Sequence, residues 1–183
     1  MRSDDLGPGR VRRLGRRPDT LAEGTRSRVP FSVLVLFLLS LAAVRVFVLQ
    51  PYTVANDSMV PAVEPGSYAV LLTLPGTAER LHGRELVVFP TPGTGEPVLK
   101  RVVAVGGQEV SIRDSLLYVD GRRVDEPGID ASDIDGTWFG PVDVPQGAVF
   151  VLGDNRAGSI DSRDYGPIEL ENIRGRVLWT AGR

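Results

Sequence analysis

The longest hydrophobic segment runs from Phe31 to Val44, interrupted only by Ser32 and Ser40, and resumes after Arg45 as Val46-Phe47-Val48-Leu49. Its length matches the ~20 apolar residues that cross a bilayer as a helix, which predicts a transmembrane helix over 29–50. Arg45 falls near the far end, where a long side chain reaches back to the interface. Residues 1–28 show no apolar periodicity and carry eight Arg against four acidic residues. They read as a disordered tail. Basic residues ahead of the span predict a cytoplasmic N-terminus, with everything after Gln50 outside the cytoplasmic membrane. A cleavable signal peptide is the competing reading, with Ser40-Leu41-Ala42 as its small-residue cleavage site. The apolar run continues past that point, which favours a retained anchor.

Pro51 is expected to end the helix, and from there the pattern changes period. Short runs rich in Val, Leu, Ile and Tyr predict strands at Tyr68–Leu74, Glu85–Phe89, Val98–Val105, Glu109–Arg113, Leu116–Val119, Ala148–Leu152 and Arg176–Thr180. Tyr52 to Ala55 reads as a short extended stretch. Asp120-Gly121 has the composition of a tight hairpin turn. Pro90 to Pro97 reads as a break, and Glu126 to Pro145 as a longer irregular excursion. No long helical pattern follows the span. The fold class is mainly β: a small antiparallel domain over 51–183 behind one N-terminal helix.

Composition narrows the chemistry. The chain has 183 residues, net charge −2 and 42% hydrophobic residues, with no Cys and one His, His82. Disulfides, thiolate metal sites and cysteine nucleophiles are excluded, and multi-histidine metal sites with them. No metal or other cofactor is expected, and no nucleic-acid partner. His82 lies in the turn-like Leu81-His82-Gly83-Arg84 and reads as a solvated loop residue. Lys100 is the only lysine against 20 Arg. Arg stays charged under ordinary conditions, whereas a buried Lys can be held neutral and act as a base. Apolar neighbours in Val98-Leu99-Lys100-Arg101-Val102-Val103 suit that use. An ordinary surface lysine is the alternative that composition alone leaves open.

Two further stretches give the lysine something to act on. Ser58, in Asn56-Asp57-Ser58-Met59-Val60-Pro61, lies just beyond the span, after an extended stretch and before a proline-stiffened turn. A Ser there is ordinarily a turn residue. As a nucleophile it needs a base within hydrogen-bond reach, and Ser-Lys pairs are a known variant of the Ser-His-Asp arrangement. The stretch from Gly153 to Pro167 holds three Gly, three Asp and two Ser directly after a strand. It reads either as a solvated loop or as an ordered platform whose Asp and Arg side chains pair. Its acidic residues do not fall at EF-hand offsets.

These stretches in this order resemble the type I signal peptidases, the bacterial membrane-bound Ser-Lys endopeptidases that remove signal peptides from secreted preproteins. Asp57-Ser58-Met59-Val60-Pro61, Glu85-Leu86-Val87-Val88-Phe89, Lys100-Arg101-Val102-Val103-Ala104-Val105 and Gly153-Asp154-Asn155-Arg156 with Ser159, Asp161-Ser162-Arg163 and Gly166-Pro167 carry the likeness. The resemblance implies a β domain of signal-peptidase type with Ser58 as nucleophile and Lys100 as general base. Ser159 would orient the lysine amine. Gly153, Asp154, Asp161 and Arg163 would structure the loop, with Asp161 and Arg163 as an ion pair and Gly153 letting the backbone pass close to the lysine. The oxyanion hole would use the Ser58 N–H and the Asn56 side chain. Val54, Met59, Val63 and Leu99 would line shallow pockets for Ala-x-Ala; ordinary core packing is their other reading. Signal peptides, the lipid bilayer and the secretion translocon are the implied partners.

The departures bear on activity. Asn56 stands where many relatives have Ser. Gly83-Arg84-Glu85 and Gly106-Gly107-Gln108 replace Arg-Gly-Asp and Pro-Gly-Asp, and the second β subdomain of some relatives is expected to be very small. Two alternatives share the fold: a self-cleaving repressor-type Ser-Lys protease, and a catalytically silent membrane-anchored module that binds extended peptides. The apolar span, and the lack of a DNA-binding helical domain, weigh against the first. Retention of both Ser58 and Lys100 weighs against the second.

Overall fold

The computed structural model describes residues 30–129 and 138–182, apart from the side chains of Val46 and Phe47; the tail expected over 1–28 lies outside the described residues. The described residues open with a helix, α1 (Phe31–Phe47). Strands β1 (Leu49–Thr53), β2 (Tyr68–Leu72), β3 (Leu86–Pro90), β4 (Pro97–Val105), β5 (Glu109–Arg113), β6 (Leu116–Val119) and β7 (Arg122–Arg123) follow. Then come β8 (Phe139–Asp143), β9 (Ala148–Leu152), the single-turn helix α2 (Ser162–Tyr165), β10 (Ile168–Glu169) and β11 (Gly175–Ala181).

All strand pairings are antiparallel. One sheet has seven strands in the order β1-β2-β11-β3-β4-β9-β10, and a second has four in the order β7-β6-β5-β8. β9 is buried along its whole length. Its alternating side chains divide between two cores, as the period of two in a strand requires. Phe150 and Leu152 join Val110, Ile112 and Leu117 beneath the small sheet, while Val149 and Val151 pack with Val87, Phe89 and Val102. A third cluster gathers Val54, Met59, Val63, Leu71, Val88 and Leu99.

Each strand expected from the sequence is present, with ends moved by a residue or two. The Asp120-Gly121 turn has positive φ at both residues, 51° and 71°, as the two-residue hairpin turn predicted there needs. The excursion from Glu126 to Pro145 is not wholly irregular, because β8 lies within it and pairs with β5. Gly140 and Pro141 hide that strand from a pattern reading: Gly140 sits at φ 76°, and a Cβ there would meet the Val110 carbonyl at 2.6 Å.

The apolar span also ends differently from the expectation. α1 stops at Phe47, and Leu49–Thr53 is drawn into the sheet as β1 against β2. Among the described residues no helix is long and apolar enough to cross a membrane. The 17 residues of α1 extend about 25 Å at ~1.5 Å each. Its apolar side chains face outward all round, with Leu36, Phe37, Leu38, Leu39 and Leu41 each exposed. That is the pattern of a helix that is covered by something apolar rather than by water.

Candidate active site

The third apolar cluster carries the turn after β1. Val54 is pinned by backbone hydrogen bonds to Ser67 and Gly66, and Val63 N–H donates to the Met59 carbonyl, closing a tight turn over residues 59–63. Met59 is driven into the cluster, which leaves Ser58 at the cluster edge, 5% exposed. Lys100 reaches the site from the middle of β4, opposite Val87 of β3. It is 2% exposed. Strand alternation puts it on the face of Val98 and Val102, between apolar neighbours.

The loop after β9 completes the site, and it is an ordered platform. Asp161 caps α2: its carboxylate accepts from the Arg163 N–H at 3.2 Å, while Asp164 Oδ2 accepts from the Asp161 N–H at 2.9 Å. This reciprocal box satisfies donors at a helix start that otherwise lack partners. Asp161 also accepts from Arg163 Nε at 2.8 Å and Nη2 at 2.9 Å, and from the Gly153 N–H at 3.0 Å. Asp161 is fully buried, and its charge is held by four donors from Arg163 and Gly153, as a buried carboxylate needs. Ser162 Oγ accepts from the Val151 N–H, which ties the platform to β9.

The platform touches both the lysine and the Ser58 turn, but among the hydrogen bonds described none joins Lys100 Nζ to Ser58 Oγ. Lys100 Nζ donates to Ser159 Oγ at 2.9 Å. Asn155 N–H donates to the Ser58 carbonyl at 3.0 Å, and Asn155 Nδ2 to the Asp57 carbonyl at 3.3 Å. Gly153 shows how tightly the two sides meet. A Cβ at this position would overlap the Ser159 side chain and lie 2.6 Å from the Ser58 carbonyl oxygen. The close approach expected of Gly153 is therefore to Ser159 and the Ser58 backbone, on either side of it.

Electrostatics set the lysine's protonation. Desolvation by burial lowers its pKa to about 8, against the pull of Asp161, Asp154 and Asp57, which favour the charged form; Arg163 adds to the lowering. A large fraction of the amine is then neutral near pH 8, where an exposed lysine is almost wholly charged.

Asn56 takes an unexpected part. Its side chain is exposed, and its Oδ1 accepts from Ser58 Oγ at 2.8 Å and from the Ser58 N–H at 3.3 Å. The backbone N–H fixes the amide orientation, because only the carbonyl oxygen can accept from it. The structure therefore turns the Asn56 carbonyl, not its NH₂, toward Ser58, and the hydroxyl proton points to that oxygen. Val54, Met59, Val63 and Leu99 are brought together as expected, buried in one apolar cluster.

Several neighbours escaped the sequence reading. Arg101, next to the lysine, grips Asp154 with two hydrogen bonds of 2.7 and 2.6 Å and donates to the Arg84 carbonyl. Buried Arg156 donates to the Gly153 carbonyl and pairs with Glu126 at 2.5 Å. Arg84 sits at φ 79°, a left-handed conformation that usually favours Gly. Its side chain donates to the Asp125 carbonyl at 2.8 Å. The adjacency of Arg101 to Lys100 and of Arg156 to Asp154 was visible, but nothing in the pattern assigned their partners. His82 is exposed on its loop. Among the described residues no group of His, Asp or Glu clusters to hold a metal ion.

Comparison with known proteins points the same way as the geometry. Residues 27–181 match the family model described as signal peptidase, peptidase S26. The chain is 32% identical over 148 residues to a signal peptidase I of Bacillus caldolyticus, covering 74% of this chain and 81% of that protein. It is 32% identical over 162 residues to signal peptidase IB of Staphylococcus aureus, covering 80% and 84%. The crystal structure of a signal peptidase I from Enterococcus faecalis V583 is similar at a TM-score of 0.50 and 29% identity, covering 55% of this chain and 97% of that one.

Proposed function

This chain belongs to the signal peptidase, peptidase S26 family, and from that premise we propose that it cleaves signal peptides from preproteins with Ser58 as nucleophile and Lys100 as general base. It is a serine endopeptidase of the signal peptidase I kind. The observation that carries the residue assignment is the lone lysine, buried, lowered to about 8 and hydrogen-bonded to Ser159 beside the Ser58 turn.

The neutral amine takes the Ser58 proton as Oγ attacks the scissile carbonyl. The protonated amine then gives that proton to the departing amine, which leaves an ester on Ser58. Water, deprotonated by the same lysine, hydrolyses the ester. Ser159 Oγ holds the amine in place through both steps. The tetrahedral oxyanion needs donors where its charge develops. Ser58 N–H is one. Asn56 becomes the second when its amide turns over, exchanging Oδ1 for Nδ2 and freeing both the Ser58 hydroxyl and its N–H. Asp161, Arg163, Asp154 and Gly153 keep the platform in register. Val54, Met59, Val63 and Leu99 part to receive small side chains ahead of the cleaved bond.

The outward-facing apolar surface of α1 supports a single bilayer anchor within 29–50, with residues 1–28 cytoplasmic and the β domain on the far side, near the translocon. Membrane association is a property of the family.

The test is cleavage of a preprotein by the purified full chain. Wild type should release the signal peptide, and Ser58→Ala and Lys100→Arg should both stop it with the fold retained. A wild-type chain that binds the preprotein without cutting it would instead be a silent peptide-binding module. Activity of Lys100→Arg above a few per cent of wild type would overturn the base assignment.

A further inference from the structure

The platform is fastened from outside as well as from within. Arg156 belongs to it, and its side chain is 2% exposed. It acts on the site at two points. Its Nε donates to the Gly153 carbonyl at 2.9 Å. Its own carbonyl accepts at 2.7 Å from Nη2 of Arg163, the partner of Asp161. A guanidinium this deeply buried needs a negative partner. Among the described residues that partner is Glu126, whose Oε1 lies 2.5 Å from Arg156 Nη2. Glu126 stands outside every stretch that carries the family likeness. It lies just beyond β7, where the chain leaves the small sheet, in the segment that reads as an irregular excursion.

Gly153 is where a shift of Arg156 would be felt. A Cβ at Gly153 would overlap the Ser159 side chain, so the backbone has no slack on that side. Ser159 Oγ accepts from the Lys100 amine at 2.9 Å. A chain of contacts thus runs from the small sheet to the base: Glu126 to Arg156, Arg156 to Gly153, Gly153 against Ser159, and Ser159 to Lys100. Removing one member of a buried ion pair leaves the other charge uncompensated. Arg156 would then turn toward water and release the Gly153 carbonyl, and Ser159 would lose its backing.

We propose that Glu126 is a positioning residue of this site: through Arg156 it fixes the Gly153 backbone against Ser159, and so holds the Ser159 hydroxyl on the Lys100 amine. The inference rests on the base assignment proposed above. It gives the small sheet a part in catalysis, because the chain leaving that sheet delivers Glu126. The sign of the effect separates positioning from direct electrostatic action. The charges that act on the amine are Asp161, Arg163, Asp154 and Asp57. Loss of a carboxylate would by charge alone favour the neutral amine and lower its pKa, whereas a loosened platform admits water and raises it.

Lys100 is the only lysine, so the full chain isotope-labelled at lysine Cε gives one side-chain NMR signal that reports the base directly. In detergent, the wild-type signal should titrate at about 8, and in Glu126→Ala it should move toward the ordinary 10.5. On a preprotein peptide the same variant should lose about tenfold or more in kcat, with KM within about threefold. Unfolded chain would appear as a separate lysine signal, which keeps a loss of stability apart from a loosened site. Glu126→Gln keeps an acceptor for Arg156 without the charge. It should move both quantities the same way by less, and it carries the test if Glu126→Ala does not fold. Asp125→Ala, one residue earlier, should leave both at wild type, because Arg84 uses only the Asp125 carbonyl. A native signal that keeps or falls below its wild-type midpoint in the Glu126 variants would overturn the positioning role and leave the base assignment standing, as would an equal rise in Asp125→Ala. A wild-type signal that titrates at the ordinary lysine value would overturn the base assignment and the inference with it.

Discussion

Replacing Lys100 by Met should stabilise the fold near neutral pH, and the gain should vanish in alkali. The native amine has a pKa of about 8, below the 10.5 of a free lysine. A folded-state value below the unfolded one means that folding disfavours the proton. Below pH 8 both states are protonated and the full cost of the buried charge is present. Between about 8 and 10.5 the unfolded chain still binds the proton while the native one does not, so stability rises with pH across that window. A lowering of this size corresponds to about 3 kcal/mol. The amine's hydrogen bond to Ser159 offsets about 1 kcal/mol of it. Lys100→Met, an apolar replacement of similar length, should therefore be about 2 kcal/mol more stable than wild type at pH 7. At pH 10.5 it should be about 1 kcal/mol less stable, because only the lost hydrogen bond remains. The assay is urea unfolding of both proteins at the two pH values, in a mild detergent that covers α1. Tyr165, whose pKa is raised by burial, titrates above this window in both proteins and cancels in the difference. A stability difference that does not change between pH 7 and 10.5 would refute the desolvation argument, and with it the neutral lysine.

Ser159→Ala should cut kcat by about 10²-fold or more and leave KM within a few-fold, since the amine loses its one oriented contact; steady-state kinetics on a preprotein peptide checks this. Asn56→Asp keeps an acceptor against the Ser58 hydroxyl but cannot donate to an oxyanion, so kcat should fall by roughly 10²–10³. Asn56→Ser, which keeps a donor, should retain far more activity in the same assay. Gly153→Ala forces the platform off the Ser58 backbone and should cost about 1–3 kcal/mol in urea unfolding, together with a large loss of kcat.

Much of this was written in local pattern. The strands from Tyr68 onward follow runs of β-branched and apolar residues, and the Asp120-Gly121 turn announces itself. Lys100 stands out by count, and Ser58, Ser159 and the Asp161–Arg163 pair by their motifs. What stayed hidden depends on long-range contact. Leu49 and Gln50, which read as the end of an apolar helix, are instead paired with β2 as the start of β1. β8 is masked by Gly140-Pro141. Asn56 was expected to offer its NH₂, but the Ser58 N–H two residues on demands the carbonyl instead. The partners of Arg101, Arg84 and Arg156 come from separate loops, and spacing along the chain cannot name them.

The most direct measurement is the acid limb of the pH profile of kcat/KM, which reports the free enzyme's essential base. For Lys100 acting as that base, activity should fall as pH drops through about 8, and His82→Ala should leave the limb where it is. A limb near the ~6.5 of an ordinary imidazole that disappears in His82→Ala would show that the exposed histidine, not the buried lysine, takes the proton from Ser58.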